Sequence, residues 1–202
     1  MKTSKGREQH PYQMPALIAL TAILGAQIVW IVWQLMTAGF GFAALWRPVA
    51  FTIVFLLVAV TRGRMRVINT LGRVMIAVAF LSALWNRFDD FSRFIRYAGL
   101  VLSFMPPAIV PFLAVIATAV EVGLCIAMFF GFKTRWASAG SAILLFLFAT
   151  SMVVSGLSQF EWAVYVLAAG AFMLTTVDAT LLSIDSTMPG KEKSWNSPVA
   201  TH

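Results

Sequence analysis

Apolar residues in this chain run in long blocks, and the short segments between the blocks hold nearly all of its charge. The first block, residues 16–36, is broken only by Gln27, Gln34 and small hydroxyls. At ~1.5 Å per residue it is long enough to cross a bilayer. It exceeds the roughly 7–15 residue apolar core of a secretory signal, so it reads as a retained helix, with Thr21 and Gly25 as a close-packing pair. Residues 49–61 are clean but short, and Pro48 suits the first turn of a helix. They make a full span if residues 42–46 join them and Arg47 snorkels, and are re-entrant otherwise; the full span is the expectation. Four more blocks follow at residues 70–87, 107–130, 137–156 and 161–182. The last two carry small-residue runs, Ala137, Ser138, Gly140, Ser141 and Ala142 in one and Ala168 to Ala171 in the other, which let helix backbones approach closely.

Residues 88–104 follow a different pattern. Phe88, Phe91, Ile95 and Ala98 recur at helical spacing, with Asp89, Arg93 and Arg96 on the other side. Asp89 and Arg93 are four apart, as an intrahelical pair requires. The pattern predicts an amphipathic helix lying at the membrane interface, or more plainly a solvated connector.

Composition agrees with a membrane class. Of 202 residues 60% are hydrophobic and 11% charged, whereas soluble domains are roughly half apolar and a quarter charged. The net charge of +7 is no nucleic-acid signature, because the basic residues sit in short clusters between spans. The densest cluster, Arg62, Arg64 and Arg66 with Arg73, reads as a cytoplasmic loop and not as a nucleic-acid patch. With six spans and a cytoplasmic start, the tails, this loop and the Lys133–Arg135 turn all fall inside. Outside fall Arg47, Arg87, Arg93 and Arg96. That is a clear positive-inside bias, and it places both termini in the cytoplasm. The tails, residues 1–15 and 187–202, read as disordered. Trp33, Trp46, Trp85 and Trp162 fall at outer span ends and Trp136 at an inner one, as an aromatic belt requires. The chain is therefore read as an all-α integral membrane protein of six transmembrane helices.

Candidate chemistry is sparse. One cysteine, Cys125, can form neither an internal disulfide nor a dithiol pair, and its apolar setting assigns it to packing. His10 and His202 lie in the tails, which excludes a haem held by histidines between helices and argues against any metal site. No nucleophile triad or phosphate loop is present. Glu121 stands out as an acid near the middle of its span, where lipid makes it costly. Two readings stand side by side. Glu121 is a protonatable group beside a quinone headgroup or in a relay. Alternatively, it is a buried acid held by Ser82, Asn86, Thr118 or Ser141, or paired with a snorkelling arginine. Depth along the helices makes Ser82 and Ser141 its best-placed neighbours. Arg73 and Arg135 flank the cytoplasmic end. Pairing with Asp178 and Asp185 is the simpler role for them, and lipid headgroup contact the other. Asn86 and Arg87 at the outer end read as helix termination with snorkelling.

From Leu71 onward the order of features resembles the DoxX family of small membrane proteins. Leu71-Gly72-Arg73 opens a span and Trp85-Asn86-Arg87-Phe88 closes it. A linker ending in Pro106-Pro107 follows, then Glu121 with Gly123, Gly131-Phe132-Lys133-Thr134-Arg135 with Ala137, and Leu182-Ser183-Ile184-Asp185. Where the family usually has a lysine near Asn86-Arg87, this chain has Arg87. The usual glycine-rich run before the final Ser-x-Asp is replaced by residues 175–180. The resemblance implies a four-helix membrane bundle at residues 62–186, with an interfacial helix near 88–104 and two additional N-terminal helices at residues 16–61. The family includes a subunit of a thiosulfate:quinone oxidoreductase, and a related branch assists maturation of a periplasmic amine dehydrogenase. The implied function is that of a bacterial inner-membrane subunit of a respiratory or redox assembly, quinone-adjacent or scaffolding, with redox centres carried by membrane or periplasmic partners. No covalently bound cofactor is expected, and a quinone is the one ligand implied. A small proton-coupled transporter or lipid-binding protein, or an assembly factor, are the alternatives.

Overall fold

The computed structural model describes residues 11–37, 42–156, 161–177, 181, 183 and 184. The expected tails lie mostly outside them. Within them the chain forms seven helices and no strand: α1 (Gln13–Thr37), α2 (Phe42–Val60), α3 (Arg66–Asp89), α4 (Phe91–Val101), α5 (Val110–Phe130), α6 (Thr134–Val154) and α7 (Glu161–Thr175). Four of them, α1, α3, α5 and α6, are long and apolar enough to cross a membrane. The other two apolar helices are shorter, with stretches Leu45–Val60 and Trp162–Thr175.

Helix ends follow local chemistry and move several of the expected boundaries. α1 begins at Gln13, ahead of the expected residue 16, because Pro15 fits a first turn whose N–H groups lack helical partners anyway. α2 runs straight through Pro48. The Pro48 carbonyl accepts from the Gln27 amide nitrogen (2.8 Å) and from the Thr52 hydroxyl (2.7 Å), and Gln27 also donates to Thr52 (2.9 Å). This fully buried knot fastens α1 to α2. α7 stops at Thr175, well short of residue 182. Thr175 and Thr176 turn their hydroxyls onto the carbonyls of Phe172 and Met173 (2.7 and 2.8 Å), which competes with helix propagation.

Two sequence expectations are corrected. Thr21 and Gly25 do not form a packing seam: both are exposed, the Thr21 hydroxyl bonds back to its own helix, and nothing lies near Gly25. Asp89 and Arg93 do not pair within one helix either. Asp90 leaves helical geometry at φ −146, ψ 88, which ends α3 and caps α4 by accepting from the Arg93 N–H (2.8 Å). Arg93 pairs with Asp90 instead (3.5 Å).

α7 lies at the centre. Residues Val166 to Ala171 are buried on every side, as expected of a helix apolar all round. It packs on α6, α1, α2 and α3. Lipid tails are as apolar as leucine, so apolar burial gives little driving force between spans and close packing must supply it. Gly170 does so: a Cβ there would land on the Phe55 ring of α2, which also rests on Gly72 of α3. Gly170→Ala is therefore expected to cost about 1–3 kcal/mol through overpacking. Thermal unfolding in detergent would read it, and Phe55→Leu should restore part of the loss.

α3 and α5 pack antiparallel, with the Cys125 thiol against the Ala77 carbonyl (3.4 Å). The amphipathic α4 lies across the first turns of α5, with Phe94, Ile95 and Ala98 on Val110 and Ala114. The Ser155 hydroxyl, just past α6, donates to the carbonyl of Val101 at the end of α4.

Candidate functional site

Glu121 lies near the middle of α5, eleven residues beyond Val110 and nine before Phe130. It is 1% exposed. Its partner is Arg87, in the last turn of α3. The contact is bidentate: one guanidinium nitrogen meets Oε2, and Nη2 donates to Oε1 at 2.8 Å. Two parallel charge-assisted bonds are the strongest arrangement available to these groups.

Backbone geometry explains why Arg87 reaches inward. Arg87 lies ten residues beyond Ala77 on α3, or roughly 15 Å, while Glu121 lies four residues from Cys125 on α5, or about 6 Å. The side chains must close that offset. Helical side chains lean toward the N-terminus of their own helix. In an antiparallel pair those leanings converge, so Arg87 and Glu121 reach toward each other. Snorkelling outward would bend Arg87 against that direction. Arg87 also continues the inner stripe of α3 marked by the buried Ala77, Phe80 and Leu84.

Aromatic rings complete the site. The Arg87 guanidinium carbon sits 4.2 Å from the centroid of Phe94 on α4 and 5.9 Å from that of Phe148 on α6. A guanidinium over an aromatic face gains cation–π energy most where water is excluded. The pair is thus built by α3 and α5 and covered by α4 and α6. The Arg87 side chain keeps 11% exposure, so the cover is not complete.

The other expected residues are placed as follows. Thr118 bonds back to the Ala114 carbonyl in its own helix (2.8 Å). Ser141 is fully buried, and its hydroxyl has no hydrogen-bond partner among the described residues. Ser82 is half-buried and Asn86 exposed. None of these reaches Glu121 by a hydrogen bond among the described residues; its two carboxylate oxygens are engaged by Arg87.

A second polar cluster lies at the far end of α3. Arg73 is 1% exposed and is the largest fully buried side chain among the described residues. It donates to the Leu181 carbonyl (3.4 Å), as does the Thr70 hydroxyl (3.4 Å). The Ser183 hydroxyl donates to the carbonyl of Gly131, the left-handed residue that ends α5 at φ 66. Arg135 is exposed on the first turn of α6. Asp178 and Asp185, the expected acids, lie outside the described residues.

In sequence Arg87 is masked as a site residue, because a terminal arginine beside Trp85 fits a belt position equally well. Its seven-residue spacing from Phe80 is the signal that marks it as inward-facing. No curated protein and no solved structure matches the chain significantly. Residues 68–156 match the family model described as DoxX, which takes in α3 to α6, the ion pair and both rings, but not α7. The sequence resemblance, which ran on to Asp185, thus extends past the matched segment. With residues 68–156 matching the DoxX model and the long helices apolar enough for a bilayer, the chain is a membrane protein that carries a DoxX-like domain over α3 to α6.

Proposed function

We propose that this protein is a multi-pass subunit of a respiratory or redox assembly in the bacterial inner membrane, placed beside quinone and leaving electron transfer to its partners. In this reading all six apolar helices span, with α2 and α7 completed by their flanking residues, α4 lies on the outer interface, and both termini are cytoplasmic. The clustering of Arg62, Arg64, Arg66, Lys133 and Arg135 at the ends opposite α4 supports that orientation.

The observation that carries the proposal is the Arg87–Glu121 pair. An ion pair deep in a membrane is costly to desolvate and is retained where it does something. Arg87 has five N–H donors and Glu121 engages two of them. A neutral ring carbonyl can accept from the others without bringing a net charge into lipid, so these residues fit a quinone headgroup. The quinone would supply two-electron redox chemistry; the chain would bind and orient it.

Affinity purification from native membranes tests the proposal. A redox-centre subunit should co-purify, and extracted quinone should exceed its share of the surrounding lipid. A lone species carrying no excess quinone would sink it. The proton-coupled transporter is the second reading, and it draws on the same acid. It requires water to reach Glu121, whose carboxylate is closed off by Arg87 and is 1% exposed.

A further inference from the structure

The main apolar core draws on α1, α2, α3, α5, α6 and α7, but on no residue of α4. α4 instead packs through a small cluster of its own, with Ala98 set on Val110 and Ala114 and with Phe94, Ile95 and Leu102 around them. Of its residues only Ala98 and Val101 are buried. A cavity of about 340 Å³ lies between Ile95 and Gly99 on α4 and Val110 and Pro111 at the start of α5, with Ser103 and Met105 of the linker on its wall. Nothing lies near the missing Cβ of Gly99. Few buried contacts beside a void are the mark of a segment that opens on its own, ahead of global unfolding.

The ends and fastenings of α4 suit such an opening. Asp90 alone joins it to α3, outside helical geometry, and residues 102–109 join it to α5. A few element-terminal residues of this kind are what hinges use. Among the described residues, one hydrogen bond reaches α4 from beyond its flanks, the one from the Ser155 hydroxyl to the Val101 carbonyl. Of the two rings over Arg87, Phe148 stands on α6, which is long enough to span, whereas Phe94 stands on α4. Lifting α4 therefore uncovers the guanidinium while α3, α5 and α6 stay in place. The lifted helix also has somewhere to put its apolar side. Arg93 and Arg96 are exposed on the other side, and an amphipathic helix of this kind rests stably in a lipid headgroup region.

We propose that α4 is a lid over the Arg87–Glu121 pair. It lifts about Asp90, draws the Phe94 ring off the guanidinium, lays its apolar side on the lipid interface and opens Arg87 to water and to small polar molecules. A pair whose side chains are 11% and 1% exposed needs such an opening before it can meet a ligand. The lid concerns access to the pair and not what binds there, so it stands whether or not the ligand is a quinone.

Arginine modification of the full chain in phosphatidylcholine nanodiscs tests it, with phenylglyoxal as the reagent and each arginine followed by peptide mass spectrometry. Arg93, whose side chain is 79% exposed, serves as the internal reference. Arg87 is expected to react more slowly than Arg93 but to completion. Ser155→Ala, which frees the end of α4, should raise the Arg87 rate roughly fivefold, the effect of losing one hydrogen bond. Ala98→Cys with Ala114→Cys, in a Cys125→Ala background, can be joined directly or through a short bis-methanethiosulfonate. That cross-link should lower the rate about tenfold or more, since it removes the open states. Reduction should restore the rate, which shows that the variant is folded. An Arg87 that reacts equally fast with the cross-link closed and reduced would mean that the reagent reaches the pair from another side, and would overturn the lid. So would an Arg87 that stays unmodified in both the parent and Ser155→Ala. Hydrogen exchange in the same nanodiscs needs no substitution: α4 amides should exchange well ahead of those in α3 and α5. Equal protection in all three helices would refute a separate opening. Neither readout involves quinone, so loss of the lid leaves the quinone-adjacent function standing, and failure of quinone to co-purify leaves the lid standing.

Discussion

Glu121→Gln is expected to destabilise the protein by about 3–5 kcal/mol, because it strands the Arg87 cation in a membrane interior. The neutral amide keeps the shape of the acid, so the loss reads charge and not packing. Unfolding in mixed detergent micelles, followed by circular dichroism, measures it. The double variant Arg87→Met with Glu121→Leu should recover most of the lost stability, since apolar residues of similar volume often replace a buried ion pair without cost. That recovery separates two roles. If the pair only holds α3 to α5, the double variant should assemble and work like the parent. If the pair handles a ligand, the double variant should be as stable as the parent and lose quinone from purified samples. A double variant as unstable as the single one would show that the guanidinium's contacts with Phe94 and Phe148 carry the stability.

Gly131→Ala is expected to cost about 2.5–5 kcal/mol. A left-handed backbone costs roughly 1–2 kcal/mol for a residue with a Cβ, and here the added methyl would also strike the Arg73 guanidinium and the Ser183 side chain. Arg73 is fully buried, so it cannot swing aside without breaking its contacts. Disturbing a buried, charge-assisted hydrogen bond adds about 1.5–3 kcal/mol. Gly123→Ala is the control. Gly123 is helical with nothing near its missing Cβ, so alanine there should be neutral or stabilising by a few tenths to about 1 kcal/mol. Equal losses at the two glycines would refute the tight cluster around Arg73.

Much of this architecture can be read from apolar periodicity, and the misses have local causes. The blocks at residues 70–87 and 107–130 correspond to α3 and α5 because long apolar runs leave the backbone only the helix in lipid. The separate amphipathic helix is legible too, since Phe91, Ile95 and Ala98 repeat at a helical period. Its cap was not, because Asp89 and Asp90 look alike in sequence and only backbone direction decides which one ends α3. Depth alone is what matches Ser82 and Ser141 to Glu121. Depth counts position along an axis and carries no information about rotation around it, and rotation turns Asn86 outward while bringing Arg87 in. The pairing of Phe55 with Gly170 was likewise out of reach, being set by how α2 and α7 cross.

The central place of α7 bears on the order in which the molecule can be made. A ribosome delivers α7 after the six helices described before it, yet α1, α2, α3 and α6 all pack against it. Two polar joints between helices can close earlier. Gln27 finds Pro48 and Thr52 once α2 is inserted, and Arg87 finds Glu121 once α5 is. Insertion thus yields two pre-fastened halves, α1–α2 and α3–α6, while Arg73 on α3 still waits for the Leu181 carbonyl that follows α7. Arrival of α7 then joins them, as Gly170 slides beneath the waiting ring of Phe55.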